Sequence, residues 1–212
     1  MNLLITAGAT REPIDDVRYI SNVSTGATGA MLAEAWAGAG HNVVLLRGEG
    51  AVGASGIAEE ERFSSANDLT VRLQRRLGTG VFQAVIMAAA VADFHVVGVT
   101  TGKLSSDVER RTLELARNPK ILPRLKSFSL QPLSVVGFKL TAGADDAAIH
   151  AAVAAQFVAG GVDVVVHNDL AAIRASSREN HPFSVYRPPP RPAQDVRGAP
   201  ALARLLAEIL VR

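Results

Sequence analysis

A chain of 212 residues, 48% hydrophobic and 20% charged, is long enough to bury one well-formed core, and this composition excludes a fibrous or disordered protein. Its 22 Lys and Arg against 20 Asp and Glu leave a formal charge of +2, so there is no global electrostatic reason to expect a nucleic-acid partner. The absence of cysteine excludes disulfides, thiolate metal ligands and a cysteine nucleophile, and the five histidines are too scattered for a metal motif.

The chain enters Met1-Asn2-Leu3-Leu4-Ile5 with no basic segment and no long apolar region, so a secretory signal is not expected. No apolar stretch reaches the roughly 18 to 20 residues of a membrane-spanning helix. The expected setting is cytoplasmic, without a membrane partner. Residues 3–6 read as a buried strand. It opens into Gly8-Ala9-Thr10-Arg11-Glu12-Pro13-Ile14-Asp15 and then into a small-residue turn, Ser24-Thr25-Gly26-Ala27-Thr28-Gly29. A buried strand leading into backbone that can approach an anion, and then into a helix, points to a nucleotide or phosphate.

The first helix is expected over 26–39, with Met31, Leu32, Ala35 and Trp36 on one face and Gly40 as its stop. Residues 42–46 follow as a strand, and 48–61, rich in Gly, Ala and Glu, as a mobile loop. Ser65, Asn67 and Asp68 offer caps for a second helix in which Leu69, Leu73 and Leu77 recur every four residues, with Arg72, Arg75 and Arg76 as a solvated face. Strand 82–87 ends in Ala88-Ala89-Ala90-Val91-Ala92-Asp93. Strand 133–138 ends in Gly137-Phe138-Lys139. Asp145 and Asp146 can cap a third helix through Phe157, closed by Gly160-Gly161, and strand 162–166 leads into His167-Asn168-Asp169. The proline-rich segment 187–192 reads as a stiff connector to a last helix near 200–211, because proline lacks an N–H donor.

Non-alternating Val- and Ile-rich strands separated by helices predict the α/β class. The expected architecture is a single three-layer Rossmann-like domain over 1–212 with a mainly parallel central sheet. In such a sheet, ligands sit outside the carboxyl ends of the strands. Singly, each polar group in these loops reads as a cap or turn; jointly, they read as one site. The small residues 88–90 would let a base or ribose lie against backbone, and Lys103, in Thr100-Thr101-Gly102-Lys103-Leu104-Ser105-Ser106, suits a loop that closes on phosphates.

The stretches ITAGATREPIDDVRYISNVSTG, AAAVADF, GKLSS, LELARNPKIL, VVGFKL and VVVHNDL, in this order and spacing over residues 3 to 170, resemble the phosphopantothenoylcysteine synthetase family, the phosphopantothenate-cysteine ligases of coenzyme A biosynthesis. The resemblance implies a ligase that activates 4'-phosphopantothenate with CTP or ATP and Mg2+ and then transfers the acyl group to L-cysteine. It carries Asn22 and Lys103 over as catalytic residues, Asn22 in the second half-reaction and Lys103 at the phosphate. Arg18 and Asn22 become substrate-binding residues. The nucleotide site becomes Gly8, Met87, Ala88, Ala89, Asp93, Lys103, Pro119, Lys120, Ile121, Leu122, Phe138 and Lys139. Metal ligands are left unassigned, since the triphosphate itself can supply most Mg2+ oxygens. The resemblance also implies a homodimer and a mobile closing loop near 94–112.

The sequence departs from this pattern in places. Many bifunctional relatives have Lys-x-Lys-Lys where this chain has Lys103-Leu104-Ser105-Ser106, and lysines near Ala152 and Gln156, while Ala27 stands where a larger residue is usual. Lys139, in the FKL form of its strand end, resembles the monofunctional branch. The flavin-dependent decarboxylase domain of fused relatives has no counterpart in this sequence, so FMN is not expected, and Met1 just before the first strand favours a stand-alone ligase. Two other readings fit the residues. An NADP-dependent reductase would use Arg47 for a 2'-phosphate, although no Gly-x-Gly-x-x-Gly is present, and a non-catalytic nucleotide-binding module would follow from the missing lysines.

Overall fold

The computed structural model describes residues 1–177 and 179–211. Strand β1 (Asn2–Ala7) is followed by a small hairpin, β2 (Arg11–Pro13) and β3 (Tyr19–Ser21), and by helix α1 (Ala27–Gly38). Next come β4 (Asn42–Gly48), β5 (Glu59–Phe63), α2 (Ala66–Leu77) and β6 (Ala84–Met87). A second small pair, β7 (Phe94–Val96) and β8 (Leu115–Arg117), precedes a 3-10 turn (Leu122–Arg124) and the short α3 (Leu125–Phe128). The remainder is β9 (Ser134–Thr141), α4 (Asp146–Ala159), β10 (Val164–Asp169), α5 (Leu170–Arg174), β11 (Pro182–Tyr186), β12 (Gln194–Arg197) and α6 (Ala199–Leu210).

Eight strands form one sheet in the order β12-β11-β10-β9-β6-β1-β4-β5. The run from β10 to β5 is parallel throughout, and β11 and β12 extend it antiparallel. This is the three-layer, mainly parallel α/β fold expected from the apolar runs. Alternate residues of β1 feed two cores because successive strand side chains face opposite ways. Leu3 and Ile5 pack with Leu32 and Trp36 of α1 and Leu202 and Leu206 of α6. Leu4 packs on the other face with Leu69, Leu73 and Leu77 of α2 and Leu125 of α3. Among the described residues no helix is long and apolar enough to cross a membrane.

Local chemistry sets the helix starts. The Ser65 hydroxyl accepts the Asp68 amide and the Asp145 carboxylate accepts the Ala148 amide, each satisfying an N–H that the helix leaves open. Helix α1 has no such cap. It instead approaches β1 closely at Gly29, where an added Cβ would lie 2.5 Å from the Ala7 Cβ.

Several expectations change. The buried face of α1 is Gly29, Ala30, Leu32, Ala33 and Trp36, with Met31 and Ala35 only flanking it. Loop 48–61 ends in strand β5, and the expected closing loop begins with strand β7. Gly137-Phe138-Lys139 and His167-Asn168-Asp169 lie inside β9 and β10 rather than beyond them. Strand β12 separates the proline-rich connector from the last helix.

The arginines of α2 are not a merely solvated face. Strand β5 is the sheet edge, and its Glu61 accepts from Arg72, Arg75 and Arg76, while Glu59 pairs with Arg76 and Glu60 with Arg47 at 2.7 Å. A charged, neutralised edge resists pairing with another chain. Burial works against the Glu61 anion, but the three guanidiniums outweigh it and hold the carboxyl below its usual range. Its stabilisation is therefore present above the unfolded-state carboxyl range and is lost as the pH falls through the lowered folded value. Glu61→Gln is expected to lower stability by about 1 kcal/mol at neutral pH, with a smaller loss at high salt, measured by urea denaturation at two ionic strengths.

Candidate functional site

On one side of the junction between β1 and β6 the sheet runs to β4 and β5, and on the other to β9 and β10, so the carboxyl ends of β1 and β6 form the switch point at which sheets of this kind bind ligands. The loops leaving these two strands are joined by backbone. The Ala90 amide donates to the Gly8 carbonyl at 2.8 Å, and the Thr10 amide donates to the Ala90 carbonyl at 3.2 Å. Two fully buried hydroxyls complete the junction. Thr6 accepts the Ala89 amide at 3.1 Å and Thr10 accepts the Ala92 amide at 3.0 Å. Buried amides need such partners, and here they leave residues 88–90 as a wall of small side chains at the junction.

Asn22 is brought to this wall. Its amide donates to the Val91 carbonyl at 3.2 Å from an exposed position. The Asn118 side chain donates to the Ala92 carbonyl at 2.9 Å and its backbone amide to the Asp93 carbonyl at 2.8 Å. The Asn118 oxygen lies 2.9 Å from His95 Nδ1, which must therefore carry a hydrogen. Lys120 forms an ion pair with Asp93, both groups being exposed. The structure thus gathers Asn22, Ala88, Ala89, Asp93, Pro119 and Lys120, with Leu122 reaching the Gly137 backbone beneath them.

Met87 and Ile121 are buried in the core, and Phe138 sets its ring edge-on against Phe183 at 6.4 Å, so these side chains belong to packing. Gly8 takes a left-handed φ of 80°, and an added Cβ would meet the Ala51 Cβ at 2.4 Å; its immediate role is to admit Ala51. Lys103 forms no ion pair among the described residues and sits in a segment held by the loop after β1. There the Arg18 guanidinium contacts the Asp15 carboxylate at 3.2 Å and the Leu104 carbonyl at 3.2 Å. Burial disfavours the Asp15 anion, yet the amides of Val17, Leu104 and Arg18, with the Arg18 charge, hold its carboxyl below the usual range. Arg47 is buried, donating to the Ala51 carbonyl and paired with Glu60, so it is not available for a cofactor 2'-phosphate.

At the ends of β9 and β10, Asp169 accepts from the Thr141 hydroxyl at 2.6 Å and from the backbone amides of Gly143 and Ala171. Because the single Thr141 proton goes to that carboxylate, His167 Nε2, 2.9 Å from the same hydroxyl, must be protonated. Burial holds His167 below its ordinary value, assisted by the Lys139 charge and opposed by Asp169. This chain depends on the register that sets His167 opposite Lys139 and Asp169 opposite Thr141. Residue spacing gave no signal for it. Asn118 had one, as the first residue of the Asn-Pro-Lys stretch.

The chain matches the family model of the DNA/pantothenate metabolism flavoprotein C-terminal domain over residues 1–187. It is 35% identical over 178 residues to the coenzyme A biosynthesis bifunctional protein CoaBC of Thermococcus kodakarensis, covering 84% of this chain and 43% of that protein. The chain therefore spans less than half the length of this relative. Its fold superposes on the DNA/pantothenate metabolism flavoprotein of Streptococcus pneumoniae with a TM-score of 0.87 at 25% identity, covering 100% of this chain and 98% of the other. It also superposes on the Cab2 mutant H337A in complex with phosphopantothenate-cysteine, with a TM-score of 0.78 at 21% identity, covering 99% and 87% of the two chains.

The Asp169 carboxyl is held down to about 2 from an ordinary 3.8, first by the Thr141 hydroxyl and further by backbone amides, which together outweigh its desolvation. Its contribution to stability is present above the unfolded value and is lost as the pH falls toward the folded one. Asp169→Asn is expected to flatten the acid side of the stability profile, measured as urea midpoints across that pH range; an unchanged profile would remove Asp169 from this role.

Proposed function

As the chain belongs to the DNA/pantothenate metabolism flavoprotein C-terminal domain family, we propose that it is a phosphopantothenate-cysteine ligase. The observation that carries this reading is the Asn22 amide set against the small-residue wall of 88–92 at the junction of β1 and β6. A free carboxylate is a poor acyl electrophile, so it must be activated. An oxygen of the 4'-phosphopantothenate carboxylate attacks the α-phosphorus of CTP or ATP, and the bond to the departing pyrophosphate breaks. The amine of L-cysteine then attacks the acyl carbon of the mixed anhydride, loses a proton and releases the nucleoside monophosphate.

The wall of 88–90 lets the nucleotide approach backbone, and Asp93 and Lys120 stand at its rim. Lys103 supplies a cation for the phosphates and Lys139, near the carboxyl end of β9, a second one. Arg18 faces an anionic substrate group. Asn22 exchanges its hydrogen bond with Val91 for one to the acyl oxygen, where charge develops as the amine attacks. Mg2+ arrives with the triphosphate as part of the substrate. Among the described residues no three acidic or histidine side chains gather into a ligand set, and Asp15, Asp93 and Asp169 are already held by N–H or ammonium groups.

The proposed assembly is a homodimer. The two small hairpins lie against each other and expose Val17, Tyr19, Phe94, Val97, Leu113 and Leu115, an apolar surface suited to a second copy.

Pyrophosphate release that requires both phosphopantothenate and CTP or ATP is the primary test, and its absence with every nucleotide overturns the proposal. Asn22→Asp is expected to slow amide formation about 100-fold while leaving pyrophosphate release measurable, so that acyl-nucleotide accumulates; an equal fall in both steps refutes its role. Lys103→Gln is expected to slow activation itself. Light scattering is expected to give a dimeric mass, and a fully active monomer would exclude the assembly.

A further inference from the structure

The segment that carries Lys103 is gripped from both sides. Asp16 accepts the Gly102 amide at 2.7 Å, and Asp15, one residue earlier, accepts the Leu104 amide at 3.1 Å. The Asp16 amide donates to the Gly102 carbonyl at 3.3 Å, and Arg18 donates to the Leu104 carbonyl at 3.2 Å. The residues on either side of Lys103 are thus each held through both backbone polar groups. Asp15 is itself fixed, with a fully buried side chain whose other oxygen accepts the amides of Val17 at 2.9 Å and Arg18 at 2.7 Å.

The division of charge is the informative point. Two carboxylates lie within hydrogen-bonding reach of the residues flanking Lys103, yet both bind backbone N–H groups and neither pairs with the ammonium. Among the described residues Lys103 has no ionic partner. Asp15 is offset by Arg18, at 3.2 Å. The arrangement orders the backbone of an exposed loop while leaving its cation unquenched. A lysine on a free loop would lose that conformational freedom on meeting an anion; a lysine on a held loop has lost it already.

We propose that Asp15 and Asp16 are positioning residues that clamp the backbone on both sides of Lys103 and so present its ammonium to a polyphosphate. The proposal rests on the ligase reading for the identity of the anion. The decisive variants of the full chain are Asp16→Ala, at an exposed position, Lys103→Gln and their combination, with Asp15→Asn as a second route to the clamp. Hydrogen exchange of residues 100–106 without ligand reports the clamp, and calorimetric titration with CTP and with ATP reports its consequence.

Asp16→Ala is expected to speed exchange at Gly102, and Asp15→Asn at Leu104, and Asp16→Ala to weaken nucleotide binding about tenfold but to cause no further loss once Lys103 is glutamine, because contacts acting through one residue are not additive. The same loss with Lys103 intact and with Lys103→Gln would show a merely structural role, and unchanged exchange or affinity would remove the clamp; either result overturns the proposal. A protein that binds a nucleotide but releases no pyrophosphate would refute the ligase reading and leave the clamp to be decided by affinity. A protein that binds neither nucleotide would refute both.

Discussion

The junction between the loops after β1 and β6 is the constraint on which the rest of the site depends. Where a parallel sheet diverges to either side, the backbone amides just past its central strands lose their ladder partners and must find others. Here the Gly8 and Ala90 carbonyls and the hydroxyls of Thr6 and Thr10 take them up, with both threonines fully buried. Because backbone and two hydroxyls perform this task, residues 88–90 can remain alanines. Asn22 and Asn118 then attach to the same stretch, through the carbonyls of Val91 and Ala92.

Charge is distributed to the same end. At the β5 edge, Glu59, Glu60 and Glu61 are matched against Arg47, Arg72, Arg75 and Arg76, so a dense set of ions is neutralised at the rim of the sheet. At the carboxyl ends of the strands the carboxylates of Asp15, Asp16 and Asp169 are directed largely at backbone amides. Lys103 and Lys139 are left without ion pairs among the described residues, and under the proposed reading they are the cations that meet the anionic ligand. A nearly neutral chain thereby keeps local cations available.

Much of the fold was legible in the sequence, and the exceptions have physical causes. The Val- and Ile-rich runs of β1, β4, β6, β9 and β10 carry their own burial, and Ser65 and Asp145 mark helix starts by chemistry within one turn. Strand β5, Glu-Glu-Glu-Arg-Phe, contradicts strand propensity; it exists because β4 offers its edge and the α2 arginines neutralise the glutamates. The pairs β2–β3 and β7–β8 have three residues per strand, too few to show a period. At the site, position in a motif marked Met87, Ile121 and Phe138 together with Ala88 and Lys120. Only the pleat and the packing show that the first three turn their side chains into the cores.

The sequence by itself determined the α/β class, the placement of the main helices and strands, and the set of loops that meet at one sheet edge. These follow from hydrophobic period and capping, which act within about a dozen residues. The tertiary structure decided which atoms meet. The partners of Asn22 and of Gly102 lie 69 and 86 residues away along the chain, and the chain from His167 through Thr141 to Asp169 requires one particular register of β9 on β10. Strand order and pairing bring such groups within reach, and no local preference encodes distances of that kind. Whether a lysine is quenched or left free beside two carboxylates is accordingly a property of the fold, set by which backbone amides those carboxylates reach first.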